Sequence, residues 1–111
     1  MNMPFVAFLR AQQERLGSQS DALKASGRTD EANHIMAARN IMVLCEQLLA
    51  TVGGGPAYEA ELQRLGDAWR LARETAREHG DFARVAVEES KLAALANITA
   101  RYHSYIKEDT P

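Results

Sequence analysis

The stretch PAYEAELQRLGDAWRLARETAREHG, Pro56 to Gly80, decides the fold of this 111-residue chain. Tyr58, Leu62, Leu65, Trp69, Leu71 or Ala72, and Ala76 recur at steps of three and four, the spacing that sets side chains on one face of an α-helix. Pro56 suits a first helical turn, where its missing N–H costs nothing. Gly80 suits the stop, because a left-handed residue commonly closes the last turn. The segment predicts a helix over 56–79 with one packing seam.

Working outward, Gly27 and Gly53 to Gly55 mark two further stops. Thr29 or Asp30 can cap a second helix and Asp81 a fourth. The expected helices are 4–26, 30–52, 56–79 and 82–106, with Gly17-Ser18 a place where the first could break. Nineteen alanines, many Leu, Glu, Gln and Arg, and few β-branched residues point the same way. The second helix is apolar nearly all round, with Ile35, Ala38, Met42, Cys45 and Leu49 on one stripe and Ile41, Leu44 and Leu48 beside it, so it is expected to be the most buried. Phe82, Val85, Leu92, Leu95, Ala96, Tyr102 and Ile106 form the stripe of the fourth. The first carries only Phe5, Leu9, Leu16 and Leu23 among polar residues and is expected at the periphery. At 12.3 kDa one core must serve the whole chain. The fold class is therefore all-α: a single domain over 1–111, either a four-helix antiparallel bundle or two packed helical hairpins.

Laying Gly27 on Gly80 pairs Leu9 with Leu62, Glu14 with Asp67, Leu16 with Trp69 and Asp21 with Glu74 at an offset of 53. Past the turn, matching Asp30 to Asp81, Ala32 to Ala83, Ile41 to Leu92 and Leu44 to Leu95 changes the offset to 51. The pattern reads as two related hairpins or as generic helix patterning. The turns Ala25-Ser26-Gly27-Arg28-Thr29-Asp30-Glu31-Ala32 and Glu78-His79-Gly80-Asp81-Phe82-Ala83 resemble the glycine-acid-alanine hairpin turn of tetratricopeptide-type repeats. The 34-residue period and the tryptophan-leucine-glycine-tyrosine spacing of that family are absent, so no peptide-binding residues carry over.

Composition excludes several functions. A formal charge of −2 supplies no basic field for nucleic acid or an anionic membrane. Cys45 is the only cysteine, so an internal disulfide and a cysteine zinc cluster are out of reach and a reducing interior is the natural setting. Met1 to Arg10 lacks the pattern of a signal peptide, and the longest strictly apolar run, Ile41 to Cys45, is far below the roughly 20 residues of a membrane span. The expectation is a soluble, cytoplasmic protein.

Each candidate site has a plainer explanation. Glu31 and His34, three apart, have the spacing of di-iron ligands, but Ala76 and Ala100 stand where His79 and His103 would need acids; helix-start electrostatics accounts for Glu31. Gly53-Gly54-Gly55-Pro56 has no following Lys-Ser or Lys-Thr and reads as a turn rather than a phosphate loop. Arg70, Arg73 and Arg77 line one side of the third helix, yet Asp67, Glu74 and Asp81 sit close enough to pair with them. Cys45 lies in an apolar run that makes a thiol inert, and His103 with Tyr102 and Tyr105 reads as a helix end. Gly66 in mid-helix points to a close approach by another helix, inside the chain or from a second copy. Phe5, Val6 and Phe8 cluster at an end that a lone bundle would struggle to cover.

No catalytic, cofactor-binding or metal residue is assigned, and no cofactor or enzyme activity is expected. The sequence reads as a protein-binding or regulatory module acting through a helical surface, alone or as a homodimer. The alternative is a metal- or ligand-binding bundle around Glu31 and His34, with an arginine-mediated nucleic-acid contact a third, weaker reading.

Overall fold

The computed structural model describes residues 3–109; the outermost residues of the 1–111 domain lie outside them. Four helices follow in order: α1, Met3–Ala25; α2, Thr29–Val52; α3, Pro56–Glu78; α4, Phe82–Asp109, with no strand among the described residues. Chain neighbours run antiparallel, which makes an all-α four-helix bundle. Gly17-Ser18 does not interrupt α1.

The boundaries follow local chemistry. Gly27 and Gly80 adopt φ of 82° and 70°. In both turns the amide after the glycine donates back to the helix, Arg28 to the Leu23 carbonyl at 2.8 Å and Asp81 to the Ala76 carbonyl at 2.9 Å. The glycine amides bond Lys24 and Arg77 in the same way. Both turns are therefore Schellman motifs of one length. Asp81 caps α4 as expected, accepting the Arg84 amide at 3.1 Å, and Pro56 opens α3. The cap of α2 is corrected: it is Arg28, without a side-chain bond, and Thr29 is already helical.

That correction restores a constant register. Met3 and Pro56, Ala25 and Glu78, Thr29 and Phe82 open and close equivalent helices 53 residues apart. The offset of 51 past the turn is wrong, because it matched the acids Asp30 and Asp81 rather than the true caps Arg28 and Asp81. At offset 53, seven of the eight buried apolar residues of the first hairpin fall on buried apolar residues of the second: Phe5 on Tyr58, Leu9 on Leu62, Ala32 on Val85, Ile41 on Ala94, Met42 on Leu95, Cys45 on Ile98, Leu49 on Tyr102. The eighth, Leu16, falls on half-buried Trp69.

The two hairpins thus pack as near-equivalents. α2 and α4 lie together in the middle, α1 flanks α2, α3 flanks α4, and α1 meets α3 at the aromatic end, where Phe5 packs against Tyr58. The result is flattened, 47 × 34 × 21 Å, the short dimension being two helix diameters. α2 touches all three other helices, as α4 does, which explains its apolar circumference; α1 is no more peripheral than α3, since it buries Phe5, Leu9, Leu16 and Ser20. Length and composition alone would let α2 span a bilayer, the mean hydropathy of its best window being 1.4.

Three sequence expectations change. Phe5 is only 1% exposed because Tyr58, Tyr102 and Tyr105 pack against its ring; Val6 and Phe8 are half-buried against the same core, with Arg101 over the Phe8 ring. The bundle covers this end by itself. Phe82, 69% exposed, leaves the α4 stripe, since it is the first helical residue after a turn and nothing packs over it. Leu71 is also exposed, leaving the seam to half-buried Ala72.

Glu88 breaks the equivalence most sharply: it is 1% exposed at the position the first hairpin fills with Ile35. Arg84 Nε bonds its Oε1 at 3.2 Å. Lys91 Nζ lies 3.1 Å from each oxygen but donates to Oε1, leaving Oε2 without a directed hydrogen bond. A buried ion pair seldom outperforms a well-packed apolar group, whereas stripping one partner leaves a charge uncompensated. Glu88→Ile, which copies Ile35, is expected to leave the thermal midpoint unchanged or raise it. Lys91→Met is expected to cost about 2 kcal/mol, since Arg84 remains. Thermal unfolding followed by circular dichroism checks both; a fall of several degrees in Glu88→Ile would assign the carboxylate a structural role of its own.

Candidate functional site: a hollow seam between α3 and α4

A concavity of about 720 Å³ runs along the outer seam of the second hairpin. Leu62, Leu92, Leu95, Ala96 and Ala100 form its apolar part, and Glu59, Gln63, Arg70, Arg73, Thr99 and His103 its polar part. Gly66 lies within it, buried on α3. A Cβ at Gly66 would stand 3.3 Å from Leu95 Cδ2 and 3.0 Å from a terminal nitrogen of Arg70. The close approach inferred from Gly66 is therefore made inside the chain, by α4.

The first hairpin shows why this seam is hollow. Gln13 and Glu46 occupy the positions equivalent to Gly66 and Thr99. They meet across α1 and α2, Gln13 Nε2 donating to Glu46 at 2.9 Å, and Arg10 joins Glu46 at 3.2 Å. Arg39 packs its guanidinium beside Gly17. One seam is plugged by the Gln13–Glu46 pair; the other lacks that pair, and at Gly66 the Arg70 guanidinium lies close in its place.

Charge is distributed unevenly along the groove. Glu59, near the start of α3, meets His103 Nε2 at 3.3 Å, a pair charged on both sides only when the imidazole is protonated. Arg70 and Arg73 stand about 17 to 21 Å further along α3 at 1.5 Å per residue. The self-pairing expected of the arginines holds: Arg70 donates to Asp67 at 2.9 Å, Arg73 to Glu74 at 3.1 Å, and Arg77 to Glu74 at 2.6 Å. Hydrogen bonds from Arg70, then Gln63, hold the Asp67 carboxyl below its ordinary range, and those from Arg77, then Arg73, do the same for Glu74. These pairs are surface-exposed and exchange readily with water or a ligand. Arg73 uses only Nε, so its terminal nitrogens have no hydrogen-bond partner among the described residues.

The remaining candidates separate. Glu31 is held by Arg28, while His34 Nδ1 sits 3.5 Å from Ser90 Oγ, the outer limit of a hydrogen bond. No group of three metal-ligating side chains forms among the described residues. Gly53 and Gly55 form a turn with positive φ, and the Gly55 amide donates to Tyr102 Oη at 2.6 Å. Tyr102 and Tyr105 join the aromatic cluster while His103 turns to Glu59, so these three form no common site. The helix-end histidine is His79, whose Nδ1 meets the Thr75 carbonyl at 2.8 Å. Cys45 is fully buried, and burial pushes its thiol up to about 12.

Gly66, Arg70 and Arg73 were singled out in the sequence. Glu59, Gln63 and Thr99 were missed, although the offset of 53, carried through the turn, sets Thr99 against Glu46 and exposes the missing plug. No known protein family matches the chain, and no curated protein or solved structure is similar to it.

Proposed function

We propose that the chain is a binding module whose recognition surface is the groove between α3 and α4, the α1–α2 hairpin serving as its scaffold. The observation that carries this reading is the contrast between two near-equivalent seams, one plugged by the Gln13–Glu46 pair and one where Gly66 and Thr99 supply no such pair and a concavity runs along the helices. Leu62 and Leu95 form the buried floor of this groove, and half-buried Leu92 with exposed Ala96 and Ala100 gives it the apolar surface that an occupant would cover. The lone, inert cysteine suits a reducing compartment.

The test exploits the repeat. p-Benzoylphenylalanine replaces Gln63 at the groove or Arg10, its equivalent on the plugged seam, and the chain is irradiated in its own cells. A protein adduct is expected from the Gln63 position, absent from the Arg10 position, and lost when Gly66→Gln and Thr99→Glu rebuild the plug. An adduct of twice the chain mass would make the partner a second copy. Equal adducts from both positions, or none from either, would overturn the reading. Because a Cβ at Gly66 stands 3.3 Å from Leu95, circular dichroism first verifies that the plugged variant is folded, and Thr99→Glu alone, which leaves Gly66 in place, is the second variant expected to reduce the adduct.

A further inference from the structure

We infer that the occupant of this groove is an amphipathic α-helix of a partner protein, lying parallel to α3 with its N-terminal end beside Glu59 and acidic side chains of its last turns on Arg70 and Arg73. The inference rests on the groove being the recognition surface.

Shape, surface and charge lead to it. The groove is walled by two antiparallel helices and follows α3 from Glu59 to Arg73, about 21 Å, or roughly four helical turns. A third rod lying between two others is the packing that ridges and grooves favour. Ala96, Thr99 and Ala100 keep the α4 wall low, so a helix backbone can come close while its apolar residues at i, i+3 or i+4, and i+7 cover half-buried Leu92 and exposed Ala96 and Ala100, above Leu62 and Leu95 in the core.

Charge complementarity fixes the direction. A helix carries partial positive charge at its N-terminus and negative charge at its C-terminus. The acidic end of the groove is Glu59. The basic end is Arg70 and Arg73; among the described residues the terminal nitrogens of Arg73 have no hydrogen-bond partner, and Arg70 donates to exposed Asp67. Carboxylates on the occupant can take bidentate positions on these guanidinium groups. An occupant laid the other way would set its negative end against Glu59.

The probe is a synthetic 16-residue helical peptide with a leucine stripe and glutamates flanking its last two turns, compared with the same peptide carrying glutamine there. Fluorescence anisotropy on the full chain is expected to show saturable binding of the glutamate peptide. Binding should weaken about tenfold for the glutamine peptide and for the Arg70→Gln/Arg73→Gln protein, and weaken with added salt. A spin label on the peptide N-terminus is expected to broaden the amide signals of Glu59 and His103 rather than those of Arg73 and Leu92. Equal binding of the two peptides, broadening at the arginine end, or no binding of either peptide overturns the inference. Equal binding that the Gly66→Gln/Thr99→Glu plug abolishes would leave the groove as the recognition surface and remove only the acidic helix; binding indifferent to the plug would remove both.

Discussion

Tyr58→Ala is expected to destabilise the fold by about 3–5 kcal/mol, a large part of the roughly 5–15 kcal/mol available to a domain of this size. Tyr58 is fully buried at the end of the bundle where α1 and α3 begin and α2 and α4 finish. Its ring packs edge-on against Tyr102 with centroids 4.9 Å apart and against Phe5 at 6.1 Å. Its hydroxyl donates to the Cys45 carbonyl at 2.9 Å. Truncation therefore opens a cavity that rigid neighbouring rings cannot collapse into, and it removes the hydrogen bond by which the second hairpin holds the Cys45 carbonyl of α2. Tyr58→Phe is the control. It copies Phe5, the equivalent residue of the first hairpin, and loses one hydrogen bond to a carbonyl that the helix already satisfies, so about 1 kcal/mol is expected. Guanidinium unfolding measures both; a loss below about 1.5 kcal/mol in Tyr58→Ala would show that the aromatic end repacks freely.

The helices were legible in the sequence because their limits are set by residues acting locally. Gly27 and Gly80 close Schellman turns, Pro56 occupies a first turn and Asp81 caps α4. None of these depends on what packs against the helix. Arg28 escaped the same reasoning because it caps through backbone geometry alone, while Thr29 and Asp30 beside it have the side chains a cap normally uses. The error at Phe82 came from a helical stripe continued into the first residue of α4, where the period still holds but no neighbouring helix reaches.

The groove was less legible, since a hollow is made by side chains that are missing and by the spacing of two helices. Gly66 announced a close approach but not which neighbour made it. Glu88 is a carboxylate in a position whose equivalent is Ile35, and only its salt bridges to Arg84 and Lys91 show that it is buried. Periodicity reports which face of a helix turns inward. Differences between two otherwise equivalent seams appear only after the register of the repeat is known.

Alkaline unfolding is expected to set in from about pH 9 and to originate at Cys45. Its thiol, ordinarily 9.0, is pushed up to about 12 by burial alone. Burial, then the neighbouring Cys45 and Tyr102, raises Tyr58 above its ordinary 10.0. Below pH 9 both groups are protonated in folded and unfolded chains and contribute no pH dependence. Between 9 and about 12 the unfolded chain releases the Cys45 proton while the native chain keeps it, so stability falls with pH at up to about 1.4 kcal/mol per pH unit. Above pH 10 Tyr58 adds a second such contribution, bringing the loss to about 4 kcal/mol at pH 11. Urea unfolding at pH 8, 9.5 and 11 should follow this course. Cys45→Ala flattens the first part and Tyr58→Phe the part above pH 10, each measured against its own stability at pH 8. Thiolate absorbance should appear together with loss of helical circular dichroism. A thiolate that forms near pH 9 while the helices stay intact would mean that solvent reaches Cys45, and that the closed aromatic end of the bundle opens in the native state.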